Sequence, residues 1–165
     1  MDTVLIRNAA EAEVEGLAQM WFDGWQDAHA EVLPDELRRL RTLESFRQRL
    51  AEALPGVRVA EAEGSIAGFA IVKGDELYQF YVARQARGTQ VASILMQDAL
   101  ARLRGNGVAT GWLACAIGNE RAARFYEKTG WHRVGVVTSH LPTPTGDFPL
   151  KIWRYEIALI SGTLY

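Results

Sequence analysis

A turn between a strand and a helix contains the clearest chemical signal of the sequence. Residues 81–96 read YVARQARGTQVASILM, in which apolar strand residues give way to Arg87 and Gly88 and then, from Val91, to helical spacing. Small residues at such a place let backbone N–H groups approach an anion at the positive end of the helix dipole. The segment therefore indicates a phosphate-binding turn. The alternative is that Gly88 only makes a turn and Ala92 only packs against the sheet.

A second segment places a polar and a phenolic side chain two helical turns apart. Residues 119–131 read NERAARFYEKTGW, with Asn119 before the helix and Tyr126 seven residues later. At 3.6 residues per turn the two side chains lie on nearly the same face, towards the end of the preceding strand. A phenol with a pKa of ~10 is a proton donor at neutral pH. The alternative is that Asn119 only caps the helix and Tyr126 only fills the core.

An aromatic stripe is the third candidate. Trp21, Trp25 and His29 recur at four-residue intervals, so they share one face of a helix. Trp25 and His29 would suit a pocket for a cationic amine, to which an aromatic face contributes about 0.5 to 2 kcal/mol. A core stripe with a partly buried histidine explains the same spacing, above all for Trp21.

The composition is that of one globular domain without a basic surface field. The chain has 165 residues, 48% of them hydrophobic, which predicts a single domain over residues 1–165. A formal net charge of -2 argues against sequence-independent binding of nucleic acid. Cys115 is the only cysteine, which excludes an intrachain disulfide and leaves too few thiolates for zinc or an iron–sulfur cluster. No basic leader and no run of about 18 apolar residues occurs, so we expect a soluble cytoplasmic protein with no metal and no membrane partner.

Hydrophobic periodicity predicts the elements that must position these residues. Asn8 and Glu11 have the spacing of a capping box for a helix that ends at about His29, and Thr42 caps a later helix. The other predicted elements are a strand at 4–6, a short helix after Pro34, strands at 57–61, 66–72 and 77–82, a helix over 91–103, a strand at 110–116, a helix over 120–129, and strands at 131–138 and 152–159. The three strands from 57 to 82 should form an antiparallel meander.

The segment between the last two predicted strands is rich in proline. Residues 139–149 read SHLPTPTGDFP, and three prolines and a glycine are expected to prevent a strand ladder. The segment is therefore predicted as a long ordered loop or lid. The whole order of elements is typical of one mixed α/β domain.

Together, the strand, anion-binding turn, helix, strand and Asn–helix–Tyr segment resemble the GNAT superfamily of acetyl-CoA-dependent N-acetyltransferases over roughly residues 57–138. The family motif is Arg or Gln, two residues, Gly, one residue, and Gly or Ala. Arg87 and Ala92 match its two ends, and Gln90 stands where the family usually has glycine. Gln90 would either crowd the cofactor or donate a hydrogen bond to it. The resemblance implies a mixed, mostly antiparallel sheet of about six to seven strands flanked by helices.

The resemblance also implies a binding site for acetyl-CoA as co-substrate. Backbone amides of the turn would hold the pyrophosphate, the strand edge at Tyr81 and Val82 would pair with the pantetheine arm, and Asn119 would contact that arm. The cofactor-binding residues so implied are Tyr81, Val82, Arg87, Gly88, Thr89, Gln90, Val91, Ala92, Ser93, Asn119, Ala122 and Tyr126.

The implied reaction is direct attack of an amine on the thioester in a ternary complex. It needs an oxyanion donor, a proton acceptor and protonation of the leaving thiolate, for which we expect the Val82 amide, Glu76 and Tyr126. An alkylammonium with a pKa of ~10 is protonated at neutral pH, so a carboxylate helps to remove its proton, directly or through water. A solvated strand end is the alternative interpretation of Glu76. The expected residues of the acceptor pocket are Trp25, His29, Glu76 and His140.

Two classes of function follow. The first is an N-acetyltransferase that acts on a primary amine of a small molecule, peptide or protein. The second is a sensor or interaction module that binds acyl-CoA weakly or not at all because of Gln90. No motif selects the acceptor. The resemblance also implies a homodimer formed through the last strands.

Overall fold

A computed structural model describes residues 3–29 and 31–159. Seven strands of this part of the chain form one sheet in the order β1-β2-β3-β4-β5-β7-β6. The elements are β1 (Val4–Asn8), α1 (Val14–His29), α2 (Asp35–Leu40), α3 (Leu43–Glu52), β2 (Val57–Ala62), β3 (Ser65–Lys73), β4 (Glu76–Val82), α4 (Val91–Gly105), β5 (Thr110–Ala116), α5 (Glu120–Lys128), β6 (His132–Thr143) and β7 (Gly146–Ala158). The predicted mixed α/β fold, with helices flanking a sheet of about seven strands, is confirmed.

The chain forms two compact units, of which the first comprises residues 3–9, 53–113 and 156–159. Strands β1 to β4 pair antiparallel in sequence order, which confirms the predicted meander. Gly64 and Gly74 have positive φ in the two turns of this meander, a conformation that glycine adopts without steric cost. Helix α4 packs against β3 through a buried apolar face. This face contains Val91, Leu95, Met96, Ala99 and Leu103.

Strand β4 is irregular at its beginning. Its register with β3 shifts between Ile71 and Val72, which leaves Tyr78 as the extra residue of a β-bulge. The parallel register between β4 and β5 contains one pair, Glu76 opposite Trp112. The bulge bends β4 and strengthens its twist.

The second unit comprises residues 10–29, 31–52 and 114–155. Helices α1 and α3 pack against each other through aromatic rings, with the centroid of Trp21 4.9 Å from that of Phe46. Both side chains are buried, and Arg49 lies over the Trp21 ring at 4.6 Å. Trp21 is therefore a core residue, which was one of the two interpretations of the aromatic stripe. None of the described helices is long and apolar enough to cross a bilayer.

The predicted capping box at Asn8 and Glu11 is wrong. Asn8 is the last residue of β1, and a 3-10 turn from Glu11 to Glu13 precedes α1. The capping contact forms two residues later, where Ala10 N donates to Glu13 Oε1 at 2.7 Å. The pairing of β1 with β2 continues through Asn8, and Ala9 N donates to Val57 O at 3.0 Å, so the first helical turn begins two residues later than a cap at Asn8 would require.

The predicted loop at residues 139–149 is also wrong. Strands β6 and β7 run through this segment as a hairpin that turns at Pro144 and Thr145. Strand β6 is the outermost strand of the sheet, so a proline at an N–H that faces solvent removes no ladder bond. Pro142 still contributes its carbonyl, which accepts a hydrogen bond from Arg41 Nη1 at 2.9 Å.

Candidate functional site

In the first unit, the connection from β4 to α4 is a tight turn that Gly88 and Thr89 organise. Gly88 has φ +79, and a Cβ atom built there would meet no atom within 4 Å. The Thr89 hydroxyl donates to Ala86 O and accepts from Val91 N at 3.3 Å. Thr89, one residue before the N-cap position Gln90, therefore accepts the N–H of Val91, the first residue of α4.

The first turn of α4 provides donors for an anion. Its first backbone hydrogen bond runs from Ile94 N to Gln90 O at 3.0 Å. The N–H groups of Ala92 and Ser93 precede this ladder and lie at the positive end of a 15-residue helix. Ser93 is exposed and Ala92 half-buried, so a solvent-borne phosphate can approach this turn.

Gln90 fits the turn without backbone strain. Its φ of -74° and ψ of -10° are ordinary right-handed helical values, which every residue type adopts. Its side chain is exposed and, with Gln85 and Thr89, lines a cavity of about 370 Å³ that also includes the β2–β3 turn at Glu63 and Ser65. Replacing Gln90 by glycine would therefore enlarge the cavity, and it would not relieve any backbone strain.

The Val82 amide faces the edge of β4 that lies away from β3. Ala83 N donates to Ala67 O in β3 at 2.7 Å. Because successive residues of a strand direct their N–H groups to opposite edges, the N–H of Val82 points away from β3 and that of Tyr81 towards it. The Tyr81 ring packs at 5.7 Å from that of Phe69. Of the two predicted arm-binding residues, Val82 thus has the suitably oriented backbone donor.

Glu76 lies at the opposite end of β4 from Val82. It pairs with Lys73 across the hairpin and with Trp112 in β5. Six residues of strand correspond to roughly 20 Å at about 3.3 Å per residue. The Glu76 carboxylate and the Val82 amide therefore do not contact one reacting atom directly. A proton path from the region of Val82 to Glu76 requires intervening groups or water.

In the second unit, α5 follows the predicted cap Asn119 and contains Tyr126 two residues before its last residue, Lys128. Asn119 Oδ1 accepts from Ala122 N at 3.4 Å, so Asn119 is the N-cap that the sequence predicted. Tyr126 is half-buried, and its ring centroid lies 6.0 Å from that of Tyr155. Burial raises the pKa of Tyr126, with smaller contributions from Cys115 and Tyr155. Tyr126 is therefore a protonated phenol at neutral pH.

Cys115 lies beside this helix and is buried. Burial raises the pKa of its thiol to about 12. Its Sγ donates weakly to Ala116 O at 3.7 Å and to Asn119 O at 3.9 Å. A thiol in this state is not a nucleophile at neutral pH, because the thiolate is the reactive form.

The end of α1 holds His29 in a defined state. His29 Nδ1 lies 2.9 Å from Trp25 O, and the two rings are 5.2 Å apart. Burial lowers the pKa of His29, so the imidazole is neutral at pH 7. A neutral ring that donates from Nδ1 has Nε2 as its acceptor. His140 is exposed on β6, and none of the described contacts joins it to Trp25 or His29.

Two residues near these segments were not singled out from the sequence. A Cβ atom on Gly118, whose φ is +102, would lie 2.9 Å from Val32 Cγ1. The loop after α1 therefore packs against the turn that leads into Asn119, and the Gly-Asn pair was the available signal for this turn. Arg41 is buried and binds the carbonyl of Pro142. No sequence pattern marks a single arginine as buried.

Among the described residues, no three His, Cys, Asp or Glu side chains come together in the manner of a metal site. The chemistry offered by the two units consists of backbone donors at Val82 and α4, the phenol of Tyr126 and the neutral imidazole of His29.

The chain is similar to known proteins in sequence and in fold. A family described as the acetyltransferase (GNAT) family matches residues 16–131. An uncharacterized N-acetyltransferase of Mycobacterium tuberculosis is 34% identical over 101 residues, which are 58% of this chain and 65% of that protein. The match thus spans slightly less than two thirds of the relative.

Two solved structures have the same fold. A GCN5-related N-acetyltransferase from Rhodopseudomonas palustris superposes with a TM-score of 0.75 at 19% identity, covering 95% of this chain and 96% of the other. A putative acetyltransferase from Salmonella typhimurium, solved with its cofactor acetyl-CoA, has a TM-score of 0.65 at 15% identity, covering 99% and 98%. At these identities the likeness concerns the fold alone.

Proposed function

Because this chain belongs to the acetyltransferase (GNAT) family, we propose that it transfers the acetyl group of acetyl-CoA to a primary amine. The amine belongs to a small molecule, peptide or protein, and attacks the thioester directly in a ternary complex. The observation that carries this proposal is the connection from β4 to α4, where an outward amide at Val82 is followed by a turn with helix N-terminal donors. A protein of the same fold was solved with acetyl-CoA, which supports the same donor here.

Binding of the donor is assigned to backbone groups. The N–H groups of Ala92 and Ser93 hold the pyrophosphate, and the open space beside Gly88 admits it. Arg87, Thr89, Gln90 and Val91 complete this turn. Asn119 uses Oδ1 for its cap, so its amide NH₂ is the group that donates to a carbonyl of the pantetheine arm.

The acyl transfer is assigned to three groups. The Val82 N–H stabilises negative charge on the thioester oxygen while the new C–N bond forms. The C–S bond then breaks, and Tyr126 gives its proton to the leaving thiolate. Before the attack, the acceptor ammonium loses one proton through water towards Glu76, which stands too far along β4 for direct contact. The free amine then adds to the thioester, and the second proton that its nitrogen loses as the amide forms restores the Tyr126 phenol.

The acceptor pocket is assigned to Trp25, His29 and His140, in addition to Glu76. The indole face of Trp25 attracts a cation, and neutral His29 accepts a hydrogen bond at Nε2. An ammonium group matches both features. We further propose a cytoplasmic location, which a single cysteine without an intrachain partner supports.

Thermal unfolding with acetyl-CoA tests donor binding. A ligand that binds only the folded state adds about 2.7 kcal/mol at a hundredfold excess over its dissociation constant, which is a rise of a few degrees in Tm. We expect this rise with acetyl-CoA and a smaller one with adenosine. No rise at millimolar acetyl-CoA would instead favour the sensor or interaction module.

A pair of variants at Val82 tests the acyl-transfer step. Val82→Pro removes the N–H, and this N–H is not part of the ladder with β3, so the fold should persist. We expect turnover, measured as release of the CoA thiol, to fall about 100-fold. Val82→Ala keeps the N–H and should retain turnover. A folded Val82→Pro protein with normal turnover would remove this amide from the mechanism.

A further inference from the structure

A buried tyrosine on β7 joins three elements of the second unit. Tyr155 is fully buried, and its hydroxyl donates to Glu127 Oε2 of α5 at 2.7 Å. The same oxygen accepts from Arg133 of β6, from Nε at 3.1 Å and from Nη2 at 3.0 Å. One hydroxyl thus connects α5, β6 and β7, an arrangement that holds its ring in one orientation.

The charged partners of this hydroxyl are themselves held in place. The Arg133 guanidinium lies 3.7 Å above the Trp153 ring, and its Nη2 is 3.5 Å from Glu127 Oε2. The hydrogen bond to Tyr155 raises the pKa of Arg133, and burial, with the bond to Glu127, raises the pKa of Tyr155. Tyr155 therefore stays a neutral phenol between an anion and a cation throughout the neutral pH range.

The Tyr155 ring contacts the phenol to which we assign proton donation. The centroids of the Tyr155 and Tyr126 rings are 6.0 Å apart at an interplanar angle of 54°. Glu127, which anchors the Tyr155 hydroxyl, is also the chain neighbour of Tyr126. The packing of the Tyr155 ring against Tyr126 and the hydrogen bond between Tyr155 and Glu127 both restrict the orientation of Tyr126.

We infer that Tyr155, anchored by Glu127 and Arg133, is a positioning residue that holds the Tyr126 phenol in the orientation for proton transfer to the thiolate. This inference rests on the proposed function. Tyr155 does not contact the reacting atoms in this role. Its loss should lower kcat and leave acetyl-CoA binding intact, because only the transition state requires a precise orientation of the donor.

The test is a double-mutant cycle with Tyr155→Phe and Tyr126→Phe. Phenylalanine at 155 keeps the ring and removes the three hydrogen bonds. Turnover is followed as thiol release from acetyl-CoA, with L-lysine, spermidine and an alanine-terminated peptide as acceptors and with water alone. We expect Tyr126→Phe to lower kcat about 100-fold and Tyr155→Phe about tenfold, with the acetyl-CoA Kd unchanged within about twofold.

The double variant distinguishes positioning from a general structural effect. If Tyr155 acts through Tyr126, Tyr155→Phe causes no further loss in the Tyr126→Phe background. A further tenfold loss there, or unchanged kcat in Tyr155→Phe, overturns the inference and leaves the proposed function standing. A wild-type protein that releases no thiol with any acceptor or with water overturns the proposed function, and this inference with it.

Variants of Glu127 provide a second test if Tyr155→Phe does not fold. Glu127 is exposed, so its replacement should not prevent folding. Glu127→Gln retains an oxygen that accepts the Tyr155 hydrogen bond and should keep kcat within about threefold of wild type. Glu127→Ala removes the acceptor and should match the loss of Tyr155→Phe. Equal kcat values for the Gln and Ala variants contradict the positioning role.

Discussion

At the residue scale, His29 shows how one hydrogen bond to the backbone sets the tautomer of a side chain. Its Nδ1 pairs with the carbonyl one turn earlier, and burial makes the charged form costly. The lowered pKa has a consequence for stability. Above the unfolded pKa of about 6.5 the ring is neutral in both states, whereas at lower pH the unfolded chain binds the proton more readily.

We therefore expect stability to fall as the pH drops from about 7 through the folded pKa of His29. In His29→Gln, which cannot titrate, the decline between pH 7.5 and pH 5 should be shallower. Urea denaturation at both pH values measures this difference. His132→Gln, at an exposed position, is the matched control and should behave like wild type. Identical slopes for His29→Gln and wild type would contradict the prediction.

Gln90 is the residue at which the turn departs from the family motif. Its backbone is unstrained and its exposed side chain lines a cavity, so we expect it to donate a hydrogen bond to a phosphate oxygen of the donor. Gln90→Gly should weaken acetyl-CoA binding about tenfold, as for a bond to a charged group. Isothermal titration measures this, with Gln85→Ala as the control on the same cavity. Tighter binding by Gln90→Gly would indicate crowding instead.

At the element scale, α4 is anchored to its own unit by an ionic network. Asp98 Oδ1 lies 3.4 Å from Arg58 Nη1 of β2, and Asp98 Oδ2 lies 3.2 Å from Arg102 Nε. Arg102 Nη1 also donates to Gly56 O at 2.8 Å. The side chains of Asp98 and Arg102 are 19% and 16% exposed, so loss of one partner leaves a poorly solvated charge.

We expect Asp98→Asn to lower the free energy of unfolding by about 2 kcal/mol. This value is below that of a fully buried pair because water reaches part of the network. Urea denaturation provides the measurement. Arg104→Gln removes an exposed charge from the same helix and should change stability by less than about 0.5 kcal/mol. Equal effects of the two substitutions would rule out the network as an anchor.

The turn before α5 is expected to tolerate glycine alone. Gly118 combines φ +102 with close approach to Val32. Gly118→Ala should destabilise the protein by about 2 to 3 kcal/mol, from backbone strain and from the clash with Val32. In the Gly118→Ala background, Val32→Ala should recover the stability that is lost to the clash. It should not recover the stability that is lost to backbone strain at positive φ. A Gly118→Ala protein as stable as wild type in thermal unfolding would refute both contributions.

At the scale of the whole molecule, the exposed outer strand β6 is a candidate surface for pairing with a second copy of the chain. Its side chains Val134, Val136 and Val137 are exposed, and no charged residue occurs between Val134 and Ser139. An exposed apolar edge strand invites pairing with another chain, and two antiparallel copies of this segment bring no like charges together.

We therefore propose a homodimer through β6. Light scattering coupled to size exclusion should give twice the monomer mass at micromolar concentration. Val136→Lys places like charges opposite each other in the paired copies and should give monomers. Leu5→Lys, which adds the same charge to another exposed position, should leave the dimer intact. A monomeric wild-type protein would disprove the proposal.

The sequence alone determined features that depend on local periodicity and turn chemistry. The apolar spacing that ends at Leu103, the strand at 110–116 and the Asn119 cap all appear where they were predicted, because neighbouring residues suffice to specify them. The turn at Gly88 likewise requires only a local positive φ. These segments were also the ones that supported the resemblance to acetyltransferases.

The tertiary structure decided what depends on partners distant in sequence. The outward direction of the Val82 amide follows from its pairing with β3, and strand formation around Pro142 follows from the place of β6 at the sheet edge. The sequence predicts Tyr155 only as a strand residue, whereas its hydrogen bonds to Glu127 and Arg133 depend on how α5, β6 and β7 pack. A pattern of apolar residues specifies which face is buried, whereas the groups that meet there are set by how the elements pack.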